Sequence, residues 1–412
     1  MPAVSFRDAL KALAAAPGDP NLFYACCTAG EYEALDETIA MVRARLAQKP
    51  ITDALRLNEL HIFAHLREKQ ARRDAGLSVT NARGVDDLDF QFARAELEAL
   101  TAAARTFLGR YASPGAAILL AESLVSTGRV MEAETVLAGL RAQGMDHVAA
   151  VTSFDDGLHA KLAALGASAS QRLPPQRVLK PLPDGATRVV FTAADYLYFQ
   201  KWGWDLVESF ARHAAPGGHL ALHIMDMTPA ETEAAVARLD GYAGLSWALT
   251  TEWTNLRTPG PAANARARGY YHAGRLIRLH QLLTAHPNAA VWMLDTDMLV
   301  ADDTQLLFTA LEGCDAMLGL SPGRFEVRNK VCLSFTGFSA QARARDYLLR
   351  VVGYVAHFLE KGRLPWGIDQ VAMYTVLVKN QVPFLRIASV PVGICDTSKV
   401  HGRVLWPAKP AR

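Results

Sequence analysis

Asp295 and Asp297, one threonine apart, follow the apolar run Ala290-Val291-Trp292-Met293-Leu294 and precede a second one, Met298-Leu299-Val300. A short run bounded this way predicts a strand buried on both faces, of the kind found in parallel sheets. In extended chain, residues i and i+2 point the same way, so both carboxylates are expected to leave the strand end on one side. Open α/β sheets bind ligands just outside the carboxyl ends of their strands. Two hard oxygen donors there suit Mg²⁺ or Mn²⁺, which in turn can hold a diphosphate. The competing reading is that aspartate ends a strand because it favours turns. That reading covers a lone residue better than a same-face pair.

The surrounding pattern supplies elements to position the pair. Apolar runs at 188–192, 219–225 and 245–250 predict strands, and a helix is expected over 201–213. Thr228-Pro229 opens another helix with an N-cap and a first-turn proline. Strands alternating with helices indicate a parallel sheet in an α/β domain. A helix over 270–285 buries Leu276, Leu279, Leu282 and Leu283, and carries Arg275 and Arg278 just ahead of the acidic strand. Further strands are expected at 314–320, 331–339 and 384–392. Between them lie a long helix over 341–361 and a segment, 365–377, bearing Trp366-Gly367-Ile368-Asp369-Gln370. The tail carries His401, Trp406 and Lys409.

The first 168 residues read differently, rich in Ala, Leu, Arg and Glu with helical periodicity. Helices are expected over 31–48, 53–72 and 87–108. The pair 116–126 and 129–141 resembles one tetratricopeptide hairpin, with Gly128 at its turn and the small residues Ala121 and Ala133 where helices approach. Such an array offers a concave surface to a peptide or protein partner; a packed bundle or a dimerisation element is the alternative. Residues 169–186, with Pro174, Pro175, Pro181 and Pro183, are expected to form an extended linker. The second domain then spans 187–412.

With 412 residues, half of them hydrophobic, the chain has room for two soluble domains. A net charge of +2 argues against bulk attraction to nucleic acid or an anionic membrane. Five cysteines with Cys26 and Cys27 adjacent suggest neither a disulfide framework nor a zinc site. The N-terminus lacks signal-peptide character and no apolar stretch is long enough to span a bilayer, so a cytoplasmic protein is expected.

In this order, residues from about 189 to 409 resemble retaining glycosyltransferases of the GT-A fold, of the glycogenin and lipopolysaccharide galactosyltransferase type. The resemblance rests on Ala193-Ala194-Asp195 with Tyr198, on His223-Ile224-Met225-Asp226, on Arg275-Leu276 ahead of Leu294-Asp295-Thr296-Asp297, on Asp369-Gln370, and on a C-terminal His and Lys. It implies a Rossmann-like, mostly parallel sheet preceded by the all-α helical-hairpin domain. It also implies transfer of a hexose from a nucleoside diphospho-sugar, a uridine one, with retention and with Mn²⁺ or Mg²⁺.

Carried over residue by residue, the resemblance gives Ala193, Asp195 and Tyr198 to the nucleotide. A carboxylate and backbone groups can read a uracil edge, and an aromatic can stack on it. Arg275 would meet a sugar or phosphate oxygen, with Arg278 a competitor for that role. Asp295 and Asp297 match the metal pair, Asp295 shared with the ribose. His401 matches the third metal ligand and Lys409 the diphosphate lysine, although the family's His-x-x-Gly-x-x-Lys-Pro becomes His401-Gly402 with Lys409 two places late. Asp369 and Gln370 fall where the family lines the reacting sugar. Trp366 could stack on an acceptor sugar, and Thr336 stands where an Asn is common.

Two rival functions are open at this stage. An apolar strand followed by Asp-x-Asp also opens the haloacid-dehalogenase phosphatases, but Leu299 stands where those have Thr or Val. A helical-repeat interaction protein with an idle second domain is the other. For a transferase, the helical domain would present a protein or surface-glycan acceptor.

Overall fold

The computed structural model describes residues 5–48, 54–74, 87–111, 113–145, 147–257, 261–320, 326–390 and 404–406. The chain forms two compact units that divide between Gly144 and Met145.

The first unit is helical: α1 (Phe6–Ala15), α2 (Pro20–Glu33), α3 (Leu35–Gln48), α4 (Ala54–Asp74), α5 (Asp87–Leu108), α6 (Pro114–Ser126) and α7 (Val130–Ala142), each packed on the next. The helix expected over 31–48 is two: α2 ends at Glu33, Ala34 caps it, and α3 begins at Leu35. Helix starts follow their sequence signals. The Asp19 carboxylate accepts from Asn21 and Leu22 N–H ahead of Pro20, and Ser113 Oγ accepts from Ala116 N–H ahead of Pro114. Gly128 takes φ +79° between α6 and α7, a conformation that favours glycine. Ala121 and Ala133 are buried there.

The second unit holds α8 (Asp156–His159), α9 (Leu162–Ala167), β1 (Arg177–Lys180), β2 (Arg188–Asp195), α10 (Tyr196–Tyr198), α11 (Trp204–His213), β3 (Gly218–Met225), α12 (Pro229–Asp240) and β4 (Trp247–Glu252). It continues with α13 (Pro261–Ala285), β5 (Ala290–Leu294), β6 (Met298–Val300), α14 (Gln305–Ala310), β7 (Ala316–Leu320), β8 (Val331–Phe338), α15 (Ala342–Glu360), α16 (Ile368–Val378), β9 (Ile387–Ser389) and β10 (Val404–Trp406). Eight strands form one mostly parallel sheet in the order β1-β4-β3-β2-β5-β8-β7-β9, and β10 pairs with β6. The expected mixed α/β architecture is therefore present. Residues of α11, α12 and α14 join one apolar core with the sheet, while α13 lies against β2 and β3 and packs on α15 and α16.

From β2 the chain moves outward to β3 and β4, then returns through α13 to place β5 on the other side of β2. That reversal opens a crevice at the carboxyl ends of β2 and β5. Among the described residues, no helix is long and apolar enough to cross a membrane.

Two boundaries differ from the sequence reading. Residues 145–168 belong to the α/β unit, because α9 crosses α15 at glycines. A Cβ on Gly166 would overlap the Leu349 carbonyl, and one on Gly353 would overlap the Leu162 carbonyl. The Tyr354 hydroxyl donates to Val151 O at 2.6 Å and accepts from Ser153 N at 2.7 Å. The proline-rich segment is also more than a linker, since its Arg177–Lys180 stretch is the antiparallel edge strand on β4. Prolines on both sides keep that strand short, as suits a sheet edge. Helical periodicity says nothing about which partner a short helix meets, so neither boundary was visible locally.

The crossing yields a prediction. Gly353→Ala forces the two helix backbones apart and should lower stability by about 1–3 kcal/mol. Gly139→Ala on α7, where nothing lies within 4 Å, should raise it by up to about 1 kcal/mol. Urea midpoints of the two variants should move in opposite directions.

Candidate active site

At the carboxyl end of β5, Asp295, Thr296 and Asp297 form a turn, not a continuation of the strand. Met298 N donates back to Asp295 O at 3.1 Å, and Asp295 N still bonds Ser334 O of β8 at 2.9 Å. The Thr296 hydroxyl points inward to Thr192 of β2 at 2.9 Å, both side chains buried. This pins the turn to the neighbouring strand. Asp295 and Asp297 stay half-buried on the outside of the turn.

Each carboxylate has its own partner. Arg275 Nη1 donates to Asp295 Oδ1 at 2.5 Å, and its Nη2 donates to Asp369 Oδ2 at 2.7 Å. The Tyr198 hydroxyl donates to Asp297 Oδ2 at 2.9 Å. One step back, Asp195 Oδ1 accepts from Tyr198 N–H at 3.0 Å, capping the helical turn that carries the tyrosine. His272 Nδ1 sits 3.2 Å from Asp369 Oδ2, and the His272 ring meets Trp366 edge-on at 6.5 Å.

These residues enclose a cleft of about 450 Å³, lined from β2 and α10 by Ala193, Asp195 and Tyr198, from α13 by Arg268, Tyr271, His272 and Arg275, and beyond them by Asp295, Thr296 and Trp366. Positions 268, 271, 272 and 275 fall three or four apart, so one face of α13 forms the wall. Tyr271 reaches across to Asp226 Oδ2 at 2.9 Å. Asp226, at φ +61° past the end of β3, also accepts from Thr254 N and Oγ1, both at 2.6 Å. The loop after β4 is thereby fastened to the cleft wall.

Asp297 and Asp369 are shifted in opposite directions. Burial, together with the negative charge of Asp295, pushes the Asp297 carboxyl up. Burial would also raise Asp369, but Arg275 and His272 outweigh it and hold that carboxyl well below the usual range. Arg275 is likewise held charged: burial works against it and the two carboxylates prevail. Its Nε is buried without a hydrogen-bond partner.

Ala193, Asp195, Tyr198, Arg275 and Asp295 thus line one cleft, and Asp297 touches it through Tyr198. The choice between the two arginines is decided by geometry. Arg278 turns away, its Nε on Glu252 Oε2 at 2.8 Å and its Nη2 on Pro174 O at 2.6 Å. Asp369 is fully buried behind Arg275, so it positions the guanidinium and does not itself line the cleft. Gln370 is half-buried next to it, its backbone N–H on Asp369 Oδ1 at 2.9 Å. Thr336 is fully buried with its hydroxyl unpartnered and is not among the residues that line the cleft. His401 and Lys409 lie outside the described residues. His272, Tyr271 and Arg268 escaped the sequence reading, although their spacing from Arg275 marks the same helix face.

Two carboxylates and a phenol are hard oxygen donors suited to Mg²⁺ or Mn²⁺. The upward pull on Asp297 is what a nearby cation would reverse. Among the described residues, no group of three His, Cys, Asp or Glu side chains is close enough to hold a metal. Asp297 and Asp295 supply two carboxylates at this turn, and such an ion would need further oxygens.

No protein-family model and no curated protein matches the chain. Several solved structures resemble part of it. The bifunctional glycosyltransferase WbbM, in its apo form, is 15% identical with a TM-score of 0.35 over 52% of this chain and 40% of that one. Apo mouse xyloside xylosyltransferase 1 is 12% identical with a TM-score of 0.34 over 50% of this chain and 86% of that one. This chain spans about two fifths of the WbbM chain it matches.

Removing the guanidinium tests the network. Arg275→Met leaves Asp369 buried without its guanidinium partner and should cost about 3–5 kcal/mol of stability. The folded-state pKa of Asp369 lies below its unfolded value. Its contribution is therefore full above the ordinary aspartate pKa of about 3.9 and fades as pH falls below it. The stability advantage of wild type over Asp369→Asn should accordingly shrink between pH 5 and pH 3 in urea titrations.

Proposed function

We propose that the α/β unit is a cation-assisted glycosyltransferase, moving a hexose from a nucleoside diphospho-sugar, a uridine one, to an acceptor. The observation that carries this reading is the carboxylate pair Asp295 and Asp297 at the sheet's reversal point, Asp295 lining one cleft with Asp195 and Tyr198 and Asp297 bonded to the Tyr198 hydroxyl. A cleft of about 450 Å³ lined by tyrosines, an arginine and carboxylates suits a nucleotide joined to a charged leaving group.

In this reading Ala193, Asp195 and Tyr198 receive the base and ribose at the end of β2. Arg275, kept cationic by its two carboxylates, presents its guanidinium edge to the sugar or the ribose side of the donor. Asp297 and Asp295 would hold Mn²⁺ or Mg²⁺, whose chemistry there is to neutralise charge gathering on the departing diphosphate. His401 is proposed as a further ligand and Lys409 as a diphosphate contact. Acceptor recruitment, for a protein or a surface glycan, is assigned to the helical unit.

The phosphatase alternative requires the first aspartate to attack phosphorus. Asp295 is instead clasped by Arg275 at 2.5 Å, an arrangement that quenches a nucleophile and suits a structural carboxylate.

The test is incubation of the intact chain with a panel of nucleoside diphospho-sugars and Mn²⁺. At least one donor should bind and slowly release its nucleoside diphosphate to water. Asp297→Asn should reduce that rate by roughly 100-fold or more, the scale of losing one electrostatic contact to a developing charge. Failure of every donor both to bind and to be hydrolysed would remove the proposal.

A further inference from the structure

We infer that His272 is the catalytic base that takes the proton of the acceptor hydroxyl, with Asp369 as its positioning residue. The inference rests on the transferase reading and adds a group to it that neither the motifs nor the comparisons supply.

The geometry begins with Asp369, which is fully buried and held ionised by its neighbours. An ionised carboxylate only accepts hydrogen bonds. Its Oδ1 takes the Gln370 N–H, and its Oδ2 takes Arg275 Nη2 at 2.7 Å and His272 Nδ1 at 3.2 Å. The hydrogen of a neutral His272 ring therefore resides on Nδ1, and Nε2 carries the lone pair. No other hydrogen bond of that ring is found among the described residues. His272 lines the cleft with 29% of its side chain exposed. The indole of Trp366, half exposed, meets the ring nearly perpendicular at 83°.

Position completes the argument. His272 stands one helical turn before Arg275, whose guanidinium contacts Asp295. A base on this wall is one turn away from the end of the cleft assigned to the leaving diphosphate. Charged groups around it are Asp369 on α16, Arg275 and Arg268 on α13, Asp295 and Asp297 on the β5–β6 turn, and Asp195 at the end of β2. Arg328 lies 5.2 Å from the Trp366 ring centroid.

The step balances without a further reactant. The acceptor oxygen forms a bond to the anomeric carbon as the bond from that carbon to the diphosphate oxygen breaks. The electron pair of the broken bond leaves on the diphosphate. The hydroxyl proton passes to His272 Nε2 and then to solvent. Asp369 stabilises the imidazolium formed in between and does not itself take the proton.

Water can serve as the acceptor, so the test needs no knowledge of the natural one. The full chain, His272→Gln and His272→Ala are compared with a panel of uridine diphospho-sugars and Mn²⁺, reading UDP release against pH and donor binding by calorimetry. Glutamine is chosen because its amide can still donate to Asp369. The expected result for His272→Gln is donor affinity within about twofold of wild type and release slowed by about 10²–10⁴-fold, with the acid limb of the pH profile displaced. Added imidazole should restore part of the rate to His272→Ala. A merely bracing histidine would shift stability and leave the acid limb in place. Release by His272→Gln within threefold of wild type, or an unchanged acid limb, overturns the inference while wild-type activity and the loss in Asp297→Asn keep the transferase reading. A wild type that neither binds nor hydrolyses any donor overturns both.

Discussion

A guanidinium with almost no access to solvent, bonded at one end to Asp295 and at the other to Asp369, ties together the three elements that build the cleft. Burying such a charge is tolerable only when the geometry of its partners is good, because the desolvation of each ion costs several kcal/mol. Arg275 on α13, the turn after β5 and the first turn of α16 must therefore reach mutual register before any of them is stable. The sheet makes this possible. Its reversal at β2 places the ends of β2 and β5 side by side, and α13, which leads into β5, lays one face along the opening.

From that constraint the division of labour among the carboxylates follows. Asp369 has two cationic or hydrogen-bonding neighbours and stays ionised out of reach of solvent. Asp297 has a phenol and the repulsion of Asp295, and its charge is disfavoured. The same side chain thus serves once as a buried, ionised anchor and once as a carboxyl whose charge is disfavoured. Sites that push like groups apart in this manner are where acid, base and ion-binding roles separate.

Much of this arrangement is legible in the sequence, and the parts that are not share a physical cause. The apolar strand ahead of Asp295, the leucine-bearing helix before it and the strand–helix alternation are local patterns. The strand appears where its pattern placed it, and the helix ends where expected but begins at Pro261, ahead of the expected start at 270. Extended geometry was the wrong reason for bringing Asp295 and Asp297 to one place: a turn does it, because Thr296 hydrogen-bonds inward to Thr192, a partner 104 residues away. Arg275 and Arg278, three residues apart, look equivalent until Glu252 is seen to claim the second. His272 was silent because its meaning depends on Asp369, 97 residues later. The short helices at 156–167 match the helical unit in composition, and only the paired glycines at Gly166 and Gly353 reveal their true neighbour.

In the proposed reading a nucleoside diphosphate lies in this cleft with a divalent cation at the acidic pair. A crystal of the intact chain soaked with UDP and Mn²⁺, with data collected at the manganese edge, tests it most directly. The account predicts an anomalous peak against Asp297, the diphosphate beside it, and the uracil at Ala193, Asp195 and Tyr198. A nucleotide bound elsewhere, or a manganese peak that does not touch Asp297, would contradict it.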